Sequence, residues 1–354
     1  MTSPADLRAA PAFDALLAAS EEVGSDPLQV QGPGGNTSIK TGDLMAIKAS
    51  GTWLAEARKA DIMVTVDLAR LRGAMAANDP GVDDTAVFCA DDPANGPLRP
   101  SIETTVHAVF DHPVVMHTHC VETIALAVRE DAEAEVEAQL GDLGAVFTPY
   151  VKPGADLARA ILARVRPDTR IVVLGNHGLV AGGADAAEAK ALLAEVGRRL
   201  RRPPAPGAGA APGFAEALAR VGWTPVDHAQ TQAVAMDPVR AQIAAGRTLY
   251  PDHLIFLGPG VAVAGLDEPL ADAARRAGAS DPPRKILIAP GQGAAIPEDA
   301  TPSVIAMARA LGDVLARIDP HTPLTRLSAE DEAALLNWDA EKYRQALETA
   351  RGRG

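Results

Sequence analysis

The sequence predicts an α/β protein with a larger and a smaller domain. The chain has 354 residues, a length that favours two domains over one. Short runs rich in Val, Ile and Leu alternate with Ala-rich segments at helical spacing, which indicates mixed strands and helices. A Pro-, Gly- and Ala-rich segment at 201–212 is predicted to be a linker, which divides the chain into domains at 1–200 and 213–354.

The composition restricts the class of partner and the compartment. Hydrophobic residues make up 47% of the chain, but aromatic residues only 3%, so the cores are predicted to consist of Ala, Val, Leu and Ile. The net charge of −13 argues against nucleic acid or an anionic membrane as the partner. No apolar run approaches the ~18–20 residues of a membrane span. The start of the chain lacks a signal-peptide pattern, and Cys89 and Cys120 form no framework, so we predict a cytoplasmic protein.

The larger domain is predicted from helical spacing and from short apolar runs bounded by Gly, Pro, Asn or Asp. Its predicted helices are 4–23, 103–110, 121–127, 156–165 and 184–200. Its predicted strands are 36–40, 44–48, 62–67, 114–119, 170–174 and 179–181, and the run 145–150 is predicted to be a short strand or a loop.

The smaller domain is predicted in the same way. Its predicted helices are 214–221, 239–245, 270–277, 303–318, 329–336 and 341–350, and its predicted strands are 254–257, 261–264 and 285–289. The sequence Gly291-Gln-Gly293 fits a tight turn better than a nucleotide-binding loop. We detect no internal repeat between the two halves.

A His-x-His pair is the first candidate for chemistry. His117 and His119 end the apolar strand that begins at Val114. Residues i and i+2 of a strand point to the same side, about 6–7 Å apart at Cα, so the two imidazoles can share a metal ion. His177, in a glycine-flanked turn after another predicted strand, is the candidate third ligand. Three histidines with an open position are typical of catalytic zinc, although manganese, iron or cobalt also fit, and the alternative is ordinary core or surface histidines.

Six motifs in one order give a more specific interpretation. They are Gly35-Asn36-Thr37-Ser38, Lys48-Ala-Ser-Gly51, Ser101-Ile-Glu103, His117-Thr-His119, Thr148-Pro-Tyr150 and Asn176-His177-Gly178. In these motifs the chain resembles the class II aldolase/adducin family, which includes zinc-dependent fuculose- and rhamnulose-phosphate aldolases. The resemblance covers about residues 5–200, and the region after Pro212 lies outside the family's basic domain.

The resemblance implies a fold and a metal site. The fold is a three-layer α/β/α domain around a central, mainly antiparallel sheet, with a smaller C-terminal α/β domain added. His117, His119 and His177 are the implied ligands of Zn²⁺, or of Mn²⁺, Co²⁺ or Fe²⁺. Glu103 is the implied acid/base group or a fourth ligand. Tyr150 is the implied proton donor. In the family this tyrosine can reach a neighbouring subunit's site, which implies a homo-oligomer, and the family suggests a tetramer.

The resemblance also implies a substrate site. Backbone N–H groups and hydroxyls of glycine-rich turns hold phosphate in many proteins, and an Arg fork suits phosphate and carboxylate equally. The alternative for the two cations in this set is a solvated surface position. The substrate-binding or phosphate-binding residues predicted in this way are Gly35, Asn36, Ser38, Lys48, Ser50, Gly51, Arg99 and Ser101.

These features together predict a divalent-metal-dependent aldolase of carbohydrate metabolism. It would cleave a C–C bond of a ketose phosphate or related hydroxy-carbonyl compound through a metal-stabilised enediolate. An epimerase, a dehydratase or a decarboxylase with the same metal site is the alternative within enzymes. A non-catalytic scaffold module like that of adducin is the alternative outside enzymes, and the complete ligand set argues against it.

Overall fold

A seven-stranded sheet forms the centre of the first part of the chain in the computed structural model, which describes residues 2–338. The sheet order is β3-β2-β1-β4-β7-β6-β5. All neighbours are antiparallel except β5 and β6, as expected of a mainly antiparallel sheet. The strands are β1 (Asn36–Thr41), β2 (Leu44–Lys48), β3 (Met63–Asp67), β4 (Val114–Thr118), β5 (Ala145–Thr148), β6 (Ile171–Leu174) and β7 (Gly178–Gly183).

Helices flank this sheet and complete a three-layer α/β/α arrangement, which confirms the predicted fold class. Helices α4 and α7 bury Val106 and Leu157 against Val115, Val172 and Val180 of the sheet, whereas α2 and α8 contact each other and strands β1 and β7. The helices are α1 (Pro4–Ala9), α2 (Pro11–Gly24), α3 (Leu68–Ala76), α4 (Thr104–Val109), α5 (Val121–Ala127), α6 (Ala132–Leu140), α7 (Ala155–Leu162) and α8 (Ala186–Leu200).

The predicted opening helix at 4–23 is two helices. Ala10 has an extended backbone between them, with φ −70° and ψ 137°. The next residue is Pro11, which has no N–H to continue the helical hydrogen bonds and is favoured at the first position of a helix. The single-helix prediction is therefore wrong at this point.

A smaller four-stranded sheet, in the order β8-β11-β10-β9, carries the C-terminal part of the chain, as predicted. Its strands are β8 (Trp223–Pro225), β9 (Ala262–Val263), β10 (Leu287–Ala289) and β11 (Gly293–Pro297). The helices of this part are α9 (Phe214–Ala219), α10 (Ala229–Met236), α11 (Pro238–Ala244), α12 (Leu270–Gly278), α13 (Pro302–Arg317) and α14 (Ala329–Leu336). The helix predicted at 341–350 lies outside the described residues.

Two predictions for this second part are wrong. The run 254–257, predicted as a strand, belongs to a π-helical turn over His253–Leu257. All of its side chains are buried, and a short run that is apolar on every side does not distinguish helix from strand. The absence of a repeat between the halves is also wrong at the level of topology, because β4-β7-β6-β5 and β8-β11-β10-β9 have the same strand directions.

The contacts divide the chain into two compact units. The first unit is Met1–Thr123 with Ala132–Leu200, and the second is Ile124–Asp131 with Arg201–Gly354. The segment 201–212 contains no helix or strand, yet backbone N–H groups at 205, 208 and 211 donate to carbonyls of the second unit. The division into domains at 1–200 and 213–354 stays a prediction. Within the residues that the structure describes, no helix has the length and apolar character of a membrane span.

Candidate metal and catalytic site

Four side chains converge at one end of the strands of the first sheet. They are Glu103, His117, His119 and His177, all buried, and each offers one ligand atom within 4.8 Å of the others. The ring centroids of the histidines form a nearly equilateral triangle with sides of 4.9, 4.9 and 5.1 Å. Three imidazoles and a carboxylate at this spacing surround a volume suited to one small cation.

Strand β4 holds His117, and His119 follows directly after its last residue, Thr118. Residues separated by two positions along a strand face the same side, so His117 and His119 point together, as the spacing predicts. The Nδ1–H of His117 donates to the Leu179 carbonyl at 3.0 Å. This bond fixes the ring and leaves the lone pair of Nε2 directed at the cluster. Nε2 of His117 lies 3.0 Å from Nε2 of His119.

The hairpin between β6 and β7 positions the third histidine. Asn176 has a φ of +53°, a left-handed conformation that asparagine tolerates better than most residues. The N–H of His177 then donates to the Leu174 carbonyl at 3.1 Å and closes the turn. A Cβ on Gly178 would lie 2.4 Å from the Thr118 carbonyl oxygen, so glycine is needed for β7 to approach β4 here.

Glu103 completes the cluster from the start of helix α4, where it is the N-terminal cap residue. Its Oε2 lies 3.3 Å from His117 Nε2, and its Oε1 lies 3.4 Å from His177 Nε2. The Asn36 amide Nδ2 donates to Oε2 at 2.8 Å and to the Ser101 hydroxyl at 3.0 Å. Oε1 is buried without a hydrogen-bond partner. One carboxylate oxygen is thus held, and the other faces the cluster.

The cluster keeps the Glu103 carboxyl ionised. Burial by itself raises its pKa, but His117, His177 and His119, with the hydrogen bond from Asn36, together lower the pKa to about 2. A buried carboxylate beside three imidazoles is costly unless a cation or a proton compensates its charge.

A divalent cation fits this donor set. Neutral imidazole nitrogens with one carboxylate are the ligands that Zn²⁺ takes in catalytic sites, and Mn²⁺, Fe²⁺ and Co²⁺ accept the same combination. The buried Oε1 atom of Glu103 and the facing Nε2 atoms of His117 and His119 are polar groups that such a cation would satisfy.

A fourth histidine, His107, connects to Glu103 through Asn36, and the sequence did not predict this role. His107 is buried on helix α4, one turn after Glu103. Because the Nδ2 group of Asn36 donates to Glu103 and Ser101, its Oδ1 accepts from His107 Nε2–H at 2.5 Å. His107 Nδ1 then accepts from the Ser38 hydroxyl at 2.7 Å. The available signal was the four-residue spacing from Glu103, which places both residues on one face of a helix.

Burial holds His107 neutral. Its pKa lies well below the ordinary histidine value because of that burial and, secondarily, the charges of Lys40 and His117, although Glu103 opposes the shift. The chain Ser38–His107–Asn36–Glu103 therefore consists of directed hydrogen bonds that orient the carboxylate.

The predicted anion-binding turns lie side by side, joined by backbone hydrogen bonds. The N–H of Ser50 donates to the Arg99 carbonyl at 2.9 Å, and the N–H of Ser101 donates to the Lys48 carbonyl at 3.1 Å. Arg99 is exposed, whereas Lys48 is buried and its ammonium donates to the Pro33 carbonyl at 2.9 Å. The alternative of a solvated surface cation is therefore wrong for Lys48.

The glycine-rich loop before β1 reaches the same end of the strands. Gly35 has a φ of +59°, and a Cβ there would lie 2.8 Å from the His117 carbonyl oxygen. Asn36 pairs with His117 in the sheet, and Ser38 contacts His107 as described. Gly51, with a φ of +75°, ends the neighbouring turn.

Tyr150 follows β5 at this end of the strands. Its backbone lies against Gly175, where an added Cβ would be 2.9 Å from the Tyr150 nitrogen, and its side chain is half-buried. The hairpin turn that carries His177 therefore packs directly on the Tyr150 backbone. The role of Tyr150, like the roles of the other site residues, stays a prediction.

Comparison with known proteins agrees with this fold. The fold and the cluster define the class of protein: an α/β protein with a buried carboxylate and three buried histidines at metal-ligand spacing. The Class II Aldolase and Adducin N-terminal domain family matches residues 14–201, just over half of the chain. The chain belongs to this family and carries an additional C-terminal region.

Individual relatives are more distant. A Bacillus subtilis (strain 168) protein, described as uncharacterized oxidoreductase YuxG, is 31% identical over 182 residues, which is 48% of this chain and 26% of that protein. The chain thus spans about a quarter of the length of this relative.

Two solved structures are also similar to this chain. One is the N-terminal class II aldolase domain of a conserved Thermoplasma acidophilum protein, with 24% identity, a TM-score of 0.47, and coverage of 53% of this chain and 91% of that one. The other is L-fuculose-1-phosphate aldolase from Thermus thermophilus, with 18% identity, a TM-score of 0.36, and coverage of 53% of this chain and 90% of that one.

Proposed function

We propose that the protein is a divalent-metal-dependent aldolase that cleaves a C–C bond of a ketose phosphate or related hydroxy-carbonyl compound. The observation that carries this proposal is the convergence of three imidazoles and one carboxylate within 4.8 Å, all buried. Membership of the class II aldolase and adducin family supports it. The complete ligand set argues against a purely structural adducin-like module.

His117, His119 and His177 would hold the cation, with Zn²⁺ the first candidate and Mn²⁺, Co²⁺ or Fe²⁺ the alternatives. When bound, it supplies a Lewis acid that stabilises the negative charge developing on the substrate oxygens as the C–C bond breaks. Three neutral histidines leave the full positive charge of the cation available for this purpose.

Glu103 is the proposed proton carrier. Its ionised carboxylate can accept a proton at Oε1, the oxygen without a hydrogen-bond partner, while Asn36 holds Oε2. In each proton transfer, the proton moves between an oxygen or carbon of the substrate and Oε1 of Glu103. General acid–base catalysis needs such a fixed carboxylate atom within reach of the reacting group. In the absence of substrate the same carboxylate can serve as a fourth ligand.

Tyr150 is the proposed group that exchanges a proton with the substrate hydroxyl whose oxygen becomes the carbonyl of the released aldehyde: it takes this proton in the cleavage direction and returns it to the alkoxide in the reverse, aldol direction, since a phenol both donates and accepts. Its side chain is half-buried and its hydroxyl oxygen is buried within the chain; the phenol is proposed to act on substrate bound in its own chain or, across a homo-oligomer interface, in a neighbouring one. We further propose that the exposed Arg99, with the backbone N–H groups and hydroxyls of Gly35, Ser50, Gly51 and Ser101, binds the substrate's anionic group. This interpretation agrees with the acidic overall composition, because the required positive charge is local.

The test is a screen of ketose 1-phosphates and 2-keto acids with purified wild-type protein and the Glu103→Gln variant. Retro-aldol cleavage releases two carbonyl fragments, which mass spectrometry identifies. Epimerisation conserves mass, dehydration removes water and decarboxylation releases CO₂, so the products separate the alternative reactions. Carbonyl fragments from the wild type alone support the aldolase. Another product, or equal turnover by both proteins, overturns the proposal.

A further inference from the structure

The chain after residue 201 repeats the order of elements found along residues 104–200. Along 104–200 the order is α4, β4, α5, α6, β5, α7, β6, β7 and α8, and along 214–317 it is α9, β8, α10, α11, β9, α12, β10, β11 and α13. The strand orders β4-β7-β6-β5 and β8-β11-β10-β9 correspond one to one. In each sheet the first three strands are antiparallel, and the last pair is parallel.

The hairpins at the centre of the two sheets share one geometry. Leu174 pairs with Gly178 across three turn residues, and Ala289 pairs with Gly293 across three. The middle turn residue has a positive φ in both, +53° at Asn176 and +72° at Gly291.

The hydrogen bond that closes each turn corresponds as well. The N–H of His177 donates to Leu174 at 3.1 Å, and that of Gln292 donates to Ala289 at 2.9 Å. Gln292 therefore occupies the position of His177.

The neighbouring strands extend this register. His117 pairs with Val180, two residues after Gly178, and Pro225 pairs with Ala295, two residues after Gly293. The next helix begins four residues later in both cases, since α5 starts at 121 and α10 at 229. Pro225 therefore occupies the position of His117, and Asp227 that of His119.

We propose that the second unit is a copy of the half of the catalytic domain from α4 to α8, and that this copy has lost its metal site. Proline offers no ligand atom, and the N-terminal cap residue of the first helix is Gly213 where the catalytic domain has Glu103. Asp227 and Gln292 are exposed, whereas their counterparts are buried.

The copy also lacks three strands of the first sheet. No strand of the described second sheet corresponds to β1, β2 or β3, the strands that carry the asparagine and the anion-binding turns. Within residues 2–338, the Glu103 cluster is the one group of histidine, cysteine and acidic side chains with metal-ligand spacing. The described part of the chain thus holds one candidate metal site, and the second unit is a non-catalytic relative of the first in the same polypeptide.

Restoring the histidines tests this correspondence. The triple substitution Pro225→His, Asp227→His and Gln292→His is made in the full chain, in both the wild-type and the His117→Ala, His119→Ala backgrounds. We expect about one additional Co²⁺ per chain, with the visible absorption of a histidine-bound ion. The matched control places three histidines at exposed acidic positions of the same unit outside the register, Glu216, Asp267 and Asp299. This control should bind no additional Co²⁺.

Folded triple variants that bind no more Co²⁺ than the control would overturn the proposed register. Should the proline substitution prevent folding, the pair Asp227→His with Gln292→His changes two exposed residues only. The pair should bind Ni²⁺ more tightly than either single variant, and equal affinities would overturn the proposal. The inference does not rest on the aldolase reaction. A wild-type protein without metal would overturn the proposed function, but Co²⁺ binding by the triple variant would still test the repeat.

Discussion

The amide of Asn36 donates to Oε2 of Glu103 at 2.8 Å and thereby connects the first strand of the sheet to the start of helix α4. The same amide group bonds Ser101, and its oxygen accepts from His107. The carboxylate is therefore fixed by the sheet as well as by its own helix. This connection makes Asn36 a positioning residue whose removal should affect catalysis without removing a metal ligand.

Replacing Asn36 by Ala should lower kcat. A hydrogen bond to a charged group is worth about 1.5–3 kcal/mol, which corresponds to about a 10- to 150-fold loss of rate if it is expressed fully in the transition state. The metal content should stay at the wild-type level. Asn95→Ala is the matched control, because Asn95 is another buried asparagine, and it bonds the backbone of Thr65 in β3. Equal kcat values for the two variants would remove Asn36 from the catalytic account.

Replacing Glu103 by Gln should keep the shape of the side chain and the acceptor for the Asn36 amide, but it removes the proton carrier. General acid–base groups contribute roughly 10²- to 10⁴-fold, so turnover on the substrate found in the screen should fall by at least about 100-fold. Measured metal content separates this effect from loss of the cation. Glu216→Gln, on the exposed face of α9, is the control. Unchanged turnover in Glu103→Gln would exclude the proposed role.

Two glycine substitutions should have opposite effects on stability. Gly178→Ala places a Cβ 2.4 Å from the Thr118 carbonyl oxygen, whereas a Cβ on Gly73 meets nothing within 4 Å. Gly73 lies inside helix α3, where Ala is favoured over Gly by about 0.5–1 kcal/mol. Urea unfolding should therefore show a gain of this size for Gly73→Ala and a loss for Gly178→Ala. A neutral Gly178→Ala would show that β4 and β7 can separate without cost.

The buried His253 predicts a dependence of stability on acidity. Burial lowers its pKa from 6.5 to about 4, the backbone of Gly260 opposes this shift, and the charge of Arg326 adds to it. Well above pH 6.5 the residue is neutral in both the folded and the unfolded state, so its contribution to stability is complete. As the pH falls from 6.5 to 4 only the unfolded chain takes up the proton, and stability falls by up to about 3 kcal/mol, at 1.36 kcal/mol per pKa unit.

Urea unfolding at pH 7.5 and pH 4.5 measures this effect. His253→Leu should reduce the difference between the two pH values, whereas His321→Ala, at an exposed position of the same unit, should leave it unchanged. Equal differences in the wild type and His253→Leu would contradict the prediction.

Local spacing predicted much of the site. The period of two along β4 places His117 and His119 on one side, and their Nε2 atoms lie 3.0 Å apart. The glycine-flanked turn made His177 a candidate third ligand, but only the family's motifs joined Glu103 and His177 to the pair in one site, because sheet pairing brings these distant segments together. Pattern alone gives no distance between such segments.

Other features depend on tertiary structure in ways that a single sequence conceals. Lys48 is buried because its ammonium meets the Pro33 carbonyl, a partner that composition does not reveal. The role of His107 requires the pairing of β1 with β4, which brings Ser38 and Asn36 to it.

The repeat was concealed for a different reason. Its two hairpins share the glycine at 178 and 293, but they differ at the ligand position, with His177 in one and Gln292 in the other. Strand order and register define the resemblance, and these become visible only in the folded chain.

The metal content of the purified protein tests the central claim most directly. We predict about one divalent cation per chain in the wild type, and its loss, together with the activity, in the His117→Ala, His119→Ala double variant, measured by elemental analysis and circular dichroism on the same samples. Circular dichroism should show that the variant remains folded. A wild-type protein that is free of metal and fully active would contradict the account.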